Sequence, residues 1–396
     1  MAMDDHDRLM DHLTGLPICA LLTTGRTGTD LLQSLLDFHP DVLTFNGSLF
    51  FHTFWKDSVC VNAGRFEPGD LLDEFIGRHI EKLKSRYDIQ EGKDKLGDGL
   101  DQSLDIDTAR FKSEAMGLLQ GREINSRNFM LAVYGAYAAC LGQDIMRKKI
   151  LFHHLHHIEK LDDYLRDFPD SSIISMTRDP RANFVSGIEH WRRYRPSTDQ
   201  GAHLYYYIKR ILEDASPLGA RKNRYAVLRI EDLGDDRVLR KMCDWLGIAY
   251  DECIRRSTWG GLTWHGDRLS ANRKEGAGWS GGMLKNNWEH RLSAADKSVF
   301  NYIMHYRLRH YGYVHKDISL ADSIAMPFLI LLPLSYELRF FSLGYVSACL
   351  RQREYRRIWL NFLFYLRRVS LFFRYYSMVV RKIKFNQPFL SCSREG

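Results

Sequence analysis

Residues 21–39 read Leu-Leu-Thr-Thr-Gly-Arg-Thr-Gly-Thr-Asp-Leu-Leu-Gln-Ser-Leu-Leu-Asp-Phe-His and carry the strongest structural signal of the chain. The apolar run from Ile18 to Thr23 leads into this glycine-containing turn, as is typical of a buried parallel strand. Leucines then recur at helical spacing, which predicts a helix that begins near Thr29. Backbone N–H groups and the positive end of a helix dipole meet at such a turn. The sequence therefore predicts a site for a phosphate or sulfate group.

The turn departs from the common phosphate-binding loop. The pattern G-x-x-x-x-G-K-[ST] requires a lysine after its second glycine. Here Thr29 follows Gly28, and the nearest cation, Arg26, precedes that glycine by two residues. The alternative interpretation is an ordinary strand, turn and helix in which Thr29 is a capping residue.

Further strands alternate with helical patterns along the chain. Apolar runs at 150–152, 172–176 and 225–230 are each followed by a helical pattern, which predicts a central parallel sheet covered by helices, a three-layer α/β sandwich. Ligands of such sheets bind at the carboxyl ends of the strands. Residues 46–150 are less regular, apart from a helix expected around residues 128–141. We interpret them as an insertion of helices and loops that shapes a substrate pocket.

Charge and cysteine content limit the classes of function. The chain has 396 residues and a formal net charge of +7, but residues 326–396 contain twelve Lys and Arg against three Asp and Glu. The body is therefore slightly acidic, which disfavours general binding of nucleic acid. Seven scattered cysteines without a C-x-x-C pair suit reduced thiols in the cytoplasm. The polar N-terminus has no secretory pattern.

Several motifs together resemble the sulfotransferases that use 3′-phosphoadenosine 5′-phosphosulfate (PAPS). Residues 24–29, Thr-Gly-Arg-Thr-Gly-Thr, look like the 5′-phosphosulfate loop of that family, and residues 178–181, Arg-Asp-Pro-Arg, with Ser186 look like its 3′-phosphate motif. Residues 39–42, 231–233, 245–247, 264–267 and 285–288 are similar to later family segments. The likeness implies a P-loop NTPase-like sulfotransferase domain over residues 17–315, followed by a C-terminal helical extension.

The resemblance also implies roles for individual residues. PAPS is the implied cofactor, no metal is implied, and Arg26 would stabilise charge on the leaving group. The implied cofactor-binding residues are Gly25, Arg26, Thr27, Gly28, Thr29, Asp30, Arg178, Ser186, Arg273 and Lys274. The alternatives are a surface arginine salt bridge for the Arg178 pair and a solvated basic loop for residues 273–274. Three positions depart from the family. Thr27 stands where Ser is common, Asp30 stands where Thr or Ser is common, and Ile230 replaces a tyrosine.

The general base should be a histidine or carboxylate near the transferred group. Four histidines at 153, 154, 156 and 157 are expected just after a strand, where the family often has its catalytic histidine. We favour His154 and then His153, and we interpret the other two as capping or packing residues. A metal site is an alternative for the cluster. Candidates outside it are His52 and Glu114.

Residues 326–390 form a basic, aromatic-rich tail with a helical pattern. Met326 to Leu334 is apolar but is broken by two prolines, so it is too short for a convincing transmembrane helix. Paired basic residues alternate with aromatic and aliphatic residues from Arg351 to Phe385, as in helices that lie in a membrane interface. Packing on the core or at a homodimer interface is the alternative. The expected location is the cytoplasm, with peripheral contact to the membrane.

The sequence thus predicts a transferase that moves a sulfuryl group from PAPS to a hydroxyl or amine. The acceptor is expected to be a glycan, a glycolipid or another small metabolite. One alternative is a nucleotide-dependent small-molecule kinase, which the missing P-loop lysine disfavours. Another is a non-catalytic nucleotide-binding or membrane-associated protein.

Overall fold

Five parallel strands form the central sheet of the protein. The computed structural model describes residues 3–23, 25–60, 67–85, 96–156, 158–194, 200–214, 216–266, 279 and 288–391. In spatial order the strands are β2-β3-β1-β4-β5. Their bounds are β1 Ile18–Thr23, β2 Val42–Thr44, β3 Ile150–His156, β4 Ser172–Thr177 and β5 Tyr225–Arg229. A small antiparallel pair consists of β6 Thr258–Trp259 and β7 Leu262–Thr263.

The helices cover both faces of the sheet. One apolar core lies between the sheet and a group of helices that includes α1 and α4–α7, and a second lies between the sheet and α2 and α10. The predicted three-layer α/β sandwich is therefore confirmed. The helices are α1 Met3–Gly15, α2 Thr29–Leu36, α3 Phe51–Trp55, α4 Pro68–Leu83, α5 Thr108–Leu119, α6 Ser126–Cys140, α7 Leu161–Asp167, α8 Pro180–Tyr194, α9 Gln200–Glu213, α10 Asp236–Leu246, α11 Trp288–Arg291, α12 Ala294–Ile303, α13 His305–His310, α14 Leu320–Leu331, α15 Leu343–Arg351 and α16 Tyr355–Val380.

The segment predicted as an insertion is helical and partly buried. It contains α3 to α6, and α6 is the helix expected around residues 128–141, with nearly the same bounds. Most of α6 is buried because its apolar residues pack into the core on one side of the sheet. Just before this segment lies β2, a three-residue strand that pairs with β3.

The C-terminal helices pack on the main domain through a third apolar cluster. This cluster joins residues of α8, α9 and α12 to residues of α14 and α16. Beyond α16 the chain returns to the sheet, where Leu390 donates a backbone hydrogen bond to the Val227 carbonyl (2.9 Å) and Val227 donates one to Pro388 (2.7 Å). These bonds cover the outer edge of β5, which would otherwise expose unpaired backbone groups.

Among the residues that the structure describes, no helix has both the length and the apolar character of a membrane-spanning segment.

Candidate active site

The two predicted phosphate motifs and His154 lie at one edge of the sheet. The carboxyl ends of β1, β3, β4 and β5 lie at this edge because all the strands run in the same direction. The connection after β1 leads toward β2, while the connection after β4 leads toward β5 on the other side. Loops that diverge in this way leave a crevice at the ends of the strands, where open α/β sheets bind their ligands.

The loop after β1 has a left-handed backbone at three of its residues. Gly25, Arg26 and Gly28 have φ angles of +92°, +55° and +88°. At Gly28 a Cβ atom would lie 2.5 Å from Cδ1 of Ile230, so only glycine fits there. The loop is therefore held closely against the end of β5, and Ile230 has a packing role in place of the family's tyrosine.

The first turn of α2 presents its N–H groups without a side-chain cap. The N-cap residue is Gly28, and the helix begins at Thr29, as predicted. Thr29 is therefore not a capping residue, as the alternative interpretation had it. The Thr27 hydroxyl forms a 2.7 Å hydrogen bond with the Thr23 hydroxyl, which itself accepts from the Gly25 N–H (2.8 Å). These bonds fix the loop from its inner side.

Arg178 follows β4 directly and is almost completely buried, with only 6% of the residue exposed. Burial lowers the pKa of its guanidinium, the Glu231 carboxylate opposes that change, and the positive charge of Arg26 lowers the pKa further. Glu231 accepts hydrogen bonds from the Asp179 N–H (3.0 Å) and the Tyr313 hydroxyl (2.9 Å). Arg178 and Arg26 therefore repel each other across the crevice, as expected of a site built for an anion.

Ser186 lies in α8, and a tyrosine joins this helix to the loop after β1. The Tyr207 hydroxyl donates to Oδ1 of Asn183 at 2.6 Å and lies 3.3 Å from the Gly25 carbonyl oxygen. Its ring covers Gly187, where a Cβ atom would lie 2.0 Å from the ring. Ser186 itself is half-buried. The two predicted phosphate motifs are therefore bound into one unit.

His154 and His156 lie at the end of β3 and contact each other. His154 Nδ1 is 3.0 Å from Oε1 of Gln33, and His154 Nε2 is 3.1 Å from His156 Nδ1. A carboxylate oxygen of Asp30 is 3.7 Å from His154 Nδ1. The pairing of β1 with β3 is irregular at this point, between Leu21 and Leu22, and His156 has a φ of +70°.

Comparison with known proteins gives a family for this arrangement. Residues 20–252, more than half of the chain, match the sulfotransferase family model. The chain belongs to the sulfotransferase family. A comparison with curated protein sequences gives no significant match.

Two solved structures are similar to this sulfotransferase at low identity. The sulfotransferase domain from the curacin biosynthetic pathway is 13% identical, with a TM-score of 0.38, over 61% of this chain and 77% of that domain. The sulfotransferase domain of the olefin synthase from Synechococcus PCC 7002 is 19% identical, with a TM-score of 0.31, over 61% and 76% of the two chains. The family assignment rests on the family model.

In this sulfotransferase His153, His154 and His156 lie within β3 itself, so the expectation that they follow a strand is wrong. β3 extends to His156 because parallel pairing with β1 continues through them. His153 and His154 consequently point to opposite faces of the sheet. The His153 ring is 1% exposed, stacks on Tyr164 at 5.5 Å and forms a 2.8 Å hydrogen bond with Tyr134. These contacts favour a packing role for His153.

The remaining candidates lie in structural contacts or outside the described residues. His52 forms a 3.0 Å pair with Asp167 in the core, and Glu114 forms a 3.1 Å pair with His6. Arg273, Lys274 and His157 lie outside the described residues. In the described part of the sulfotransferase, no group of three or more His, Cys, Asp or Glu is arranged to hold a metal ion.

Three functional candidates escaped the sequence analysis. Gln33 interrupts the leucine stripe of α2 and is fully buried, so a polar residue on an apolar helix face was its signal. Glu231 was noticed only as part of a motif, although its contacts anchor the loop at Arg178. Tyr207 lies on α9, and no pattern in the sequence pointed to it.

Proposed function

We propose that this protein transfers a sulfuryl group from PAPS to a hydroxyl or amine of an acceptor, in line and with a histidine base. The acceptor class that we propose is a glycan, a glycolipid or another small metabolite. One observation carries the proposal. Two cations, Arg26 and the buried Arg178, lie at the ends of neighbouring strands in a chain whose family moves sulfuryl groups.

The residues at the crevice fit a ligand with two anionic groups. The left-handed loop and the first turn of α2 direct uncapped N–H groups to one point, and Gly28 leaves no side chain in the way. Arg178 supplies a second, separate cation, and burial strengthens its attraction to an anion. When bound, PAPS supplies a sulfuryl group attached to a phosphate leaving group. We propose that Arg26 stabilises the negative charge that develops on that phosphate.

A buried amide sets the tautomers of the histidine pair. The Gln33 Nε2 group donates to the Phe45 carbonyl oxygen (2.5 Å) and to the Thr44 hydroxyl (3.1 Å), so its Oε1 atom must face His154. An amide oxygen only accepts, and therefore His154 Nδ1 carries a proton. His154 Nε2 is then an acceptor, which requires His156 Nδ1 to donate to it.

When both Nδ1 atoms carry a proton and both rings are neutral, the lone pair that can accept a further proton lies on Nε2 of His156. We propose that this atom takes the proton from the acceptor hydroxyl. A proton on His156 Nε2 lets the Nδ1 proton move to His154, so the positive charge spreads over both rings. The Asp30 carboxylate, 3.7 Å from His154 Nδ1, stabilises that charge. In this proposal His154, which was predicted as the base, receives the proton from His156 instead of from the acceptor and is the inner member of a relay.

Nucleotide binding is the first test of the proposal. Adenosine 3′,5′-bisphosphate should raise the melting temperature of the protein, whereas ATP with magnesium should not. Arg178→Gln should weaken binding of the bisphosphate by roughly 10- to 100-fold because it removes a charge-assisted contact. Arg166→Gln, which alters an exposed arginine, is the matched control. A preference for ATP would reject the sulfotransferase proposal.

Transfer of labelled sulfate to glycan, lipid and small-molecule fractions is the second test. Once an acceptor is found, His156→Ala and His154→Ala should each lower kcat by about 10²- to 10⁴-fold with bisphosphate affinity unchanged. Nitrogen-15 NMR of the free protein should report both rings protonated at Nδ1, and Gln33→Leu should abolish that pattern. If His153→Gln showed a comparable loss of kcat and the other two variants did not, the base would be His153.

A further inference from the structure

The outward side of α14 is apolar along its whole length. Leu320, Ile324, Phe328 and Leu331 follow one another at helical spacing, and each is more than half exposed, with Phe328 at 71%. The opposite side of the helix packs on the domain through Met326. Such a stripe is the core-facing side of an ordinary helix, yet here it faces outward.

A second apolar stripe runs along α16. Trp359, Phe362 and Leu366 are spaced by three and four residues and are exposed, with Trp359 at 62%. The buried side of the same helix, which includes Phe364 and Phe372, packs on the domain. The helix is therefore apolar on two different sides.

Tyr365 joins the two stripes into one surface. Its hydroxyl donates to the Leu331 carbonyl oxygen at 2.5 Å, which ties α16 to the end of α14. Its ring lies 5.5 Å from the ring of Phe341 and 6.2 Å from that of Phe362, both exposed. We call the exposed apolar residues of these two stripes, on α14 and α16, the apolar surface. Contiguous exposed patches of this kind mark interaction sites.

Positive charge borders the apolar surface. Arg356, Arg367 and Arg374 are exposed and are spaced by eleven and seven residues, so they form a row along one side of the α16 stripe. Residues 326–396 together carry a formal charge of +9. Apolar and aromatic residues beside a row of arginines are the composition of helices that lie in a membrane interface.

We propose that the apolar surface docks on an anionic phospholipid membrane, with α14 and α16 lying in the plane of the interface. A second copy of this chain is the competing occupant. A two-fold dimer would bring the same patch of both copies together, so the arginine rows would lie beside each other and repel. Anionic headgroups would neutralise those rows instead. The cytoplasmic leaflet, where anionic lipids concentrate, is the proposed location.

Co-sedimentation of the full chain with vesicles tests this proposal. The protein should bind vesicles of phosphatidylcholine and phosphatidylserine in equal parts, bind pure phosphatidylcholine weakly, and lose binding as salt is raised. Phe328→Glu and Trp359→Glu should each weaken binding by at least about tenfold because each removes buried apolar area. Each of Arg356→Gln and Arg367→Gln should weaken it about fivefold, on the anionic vesicles alone.

Met146→Glu, a change at an exposed methionine on another part of the protein, should leave vesicle binding unchanged. Because all the altered side chains are exposed, the melting temperatures should not change. Unchanged melting temperatures would exclude loss of folding as the cause of weaker binding. Full binding by Phe328→Glu and Trp359→Glu, or no binding by the wild-type protein, would overturn the proposal. A lipid-free dimer that Phe328→Glu dissociates, without any vesicle binding, would assign the surface to a second copy.

Discussion

Gly28→Ala is the change for which the structure gives the sharpest expectation. The residue has a φ of +88°, and an added Cβ would lie 2.5 Å from Cδ1 and 2.8 Å from Cγ1 of Ile230. A left-handed backbone costs a residue with a Cβ about 1–2 kcal/mol. Overpacking against a buried side chain adds about 1–3 kcal/mol. The free energy of unfolding should therefore fall by about 2–5 kcal/mol.

Two further variants separate the backbone cost from the steric cost. Gly121 has a φ of +70° and no atom within 4 Å of a built Cβ, so Gly121→Ala should show only the backbone cost of about 1–2 kcal/mol. Ile230→Ala removes the two nearest atoms. Gly28→Ala combined with Ile230→Ala should therefore be less destabilised than the sum of the single changes, by about 1–3 kcal/mol.

Urea denaturation followed by tryptophan fluorescence measures these stabilities, and calorimetric titration with adenosine 3′,5′-bisphosphate measures the effect on the loop. Gly28→Ala should weaken binding at least tenfold because the loop must move away from Ile230, whereas Gly121→Ala should bind normally. Equal stability costs at the two glycines, with additive double-mutant energies, would refute the close packing of the loop. Normal nucleotide binding by Gly28→Ala would refute its role in the site.

Two buried groups give the remaining predictions. Burial lowers the pKa of His153 well below its ordinary value, so protonation favours the unfolded chain, and stability present above about pH 6.5 is lost as the pH falls. Below that pH the wild type should lose about 1.4 kcal/mol per pH unit more than His153→Gln in urea titrations; parallel curves would contradict this. Arg368→Met should cost about 3–5 kcal/mol because it leaves the buried Glu337 carboxylate without its 2.7 Å partner. The exposed neighbour should tolerate the same change, so a similar cost for Arg367→Met would refute the assignment.

The strand, loop and helix at residues 18–36 could be predicted because every local signal agrees there. The apolar run, the glycines and the leucine spacing each favour the same structure, and both the strand and the start of α2 are confirmed. β2 escaped because its three residues, Val42–Thr44, are too few to show a pattern. Its position depends on pairing with β3, which is a tertiary contact.

The geometry of the histidines could not be predicted for a related reason. Which face a strand residue occupies depends on where the strand begins and on any irregularity in its pairing. Here the start at Ile150 was predicted, but the extent of the strand and its irregularity were hidden, because polar histidines ended the apolar signal at Phe152 although β3 continues to His156. The polar residues are accommodated in a buried strand by partners far away in sequence, Tyr134 for His153 and Gln33 for His154.

Asp30 shows how a departure from the family pattern becomes understandable in three dimensions. In sequence it is a negative charge inside a predicted anion-binding loop, which should weaken that loop. In the structure it is the second residue of α2, where helices favour an acidic residue, and its carboxylate lies beside His154. In the proposed function, the backbone N–H groups and Arg26 bind the anion, while Asp30 balances the charge that the histidine pair acquires. In the proposed mechanism, the acid of this loop and the relay of two histidines on β3 are therefore two parts of one arrangement, and Gln33, one turn further along α2, sets its proton order.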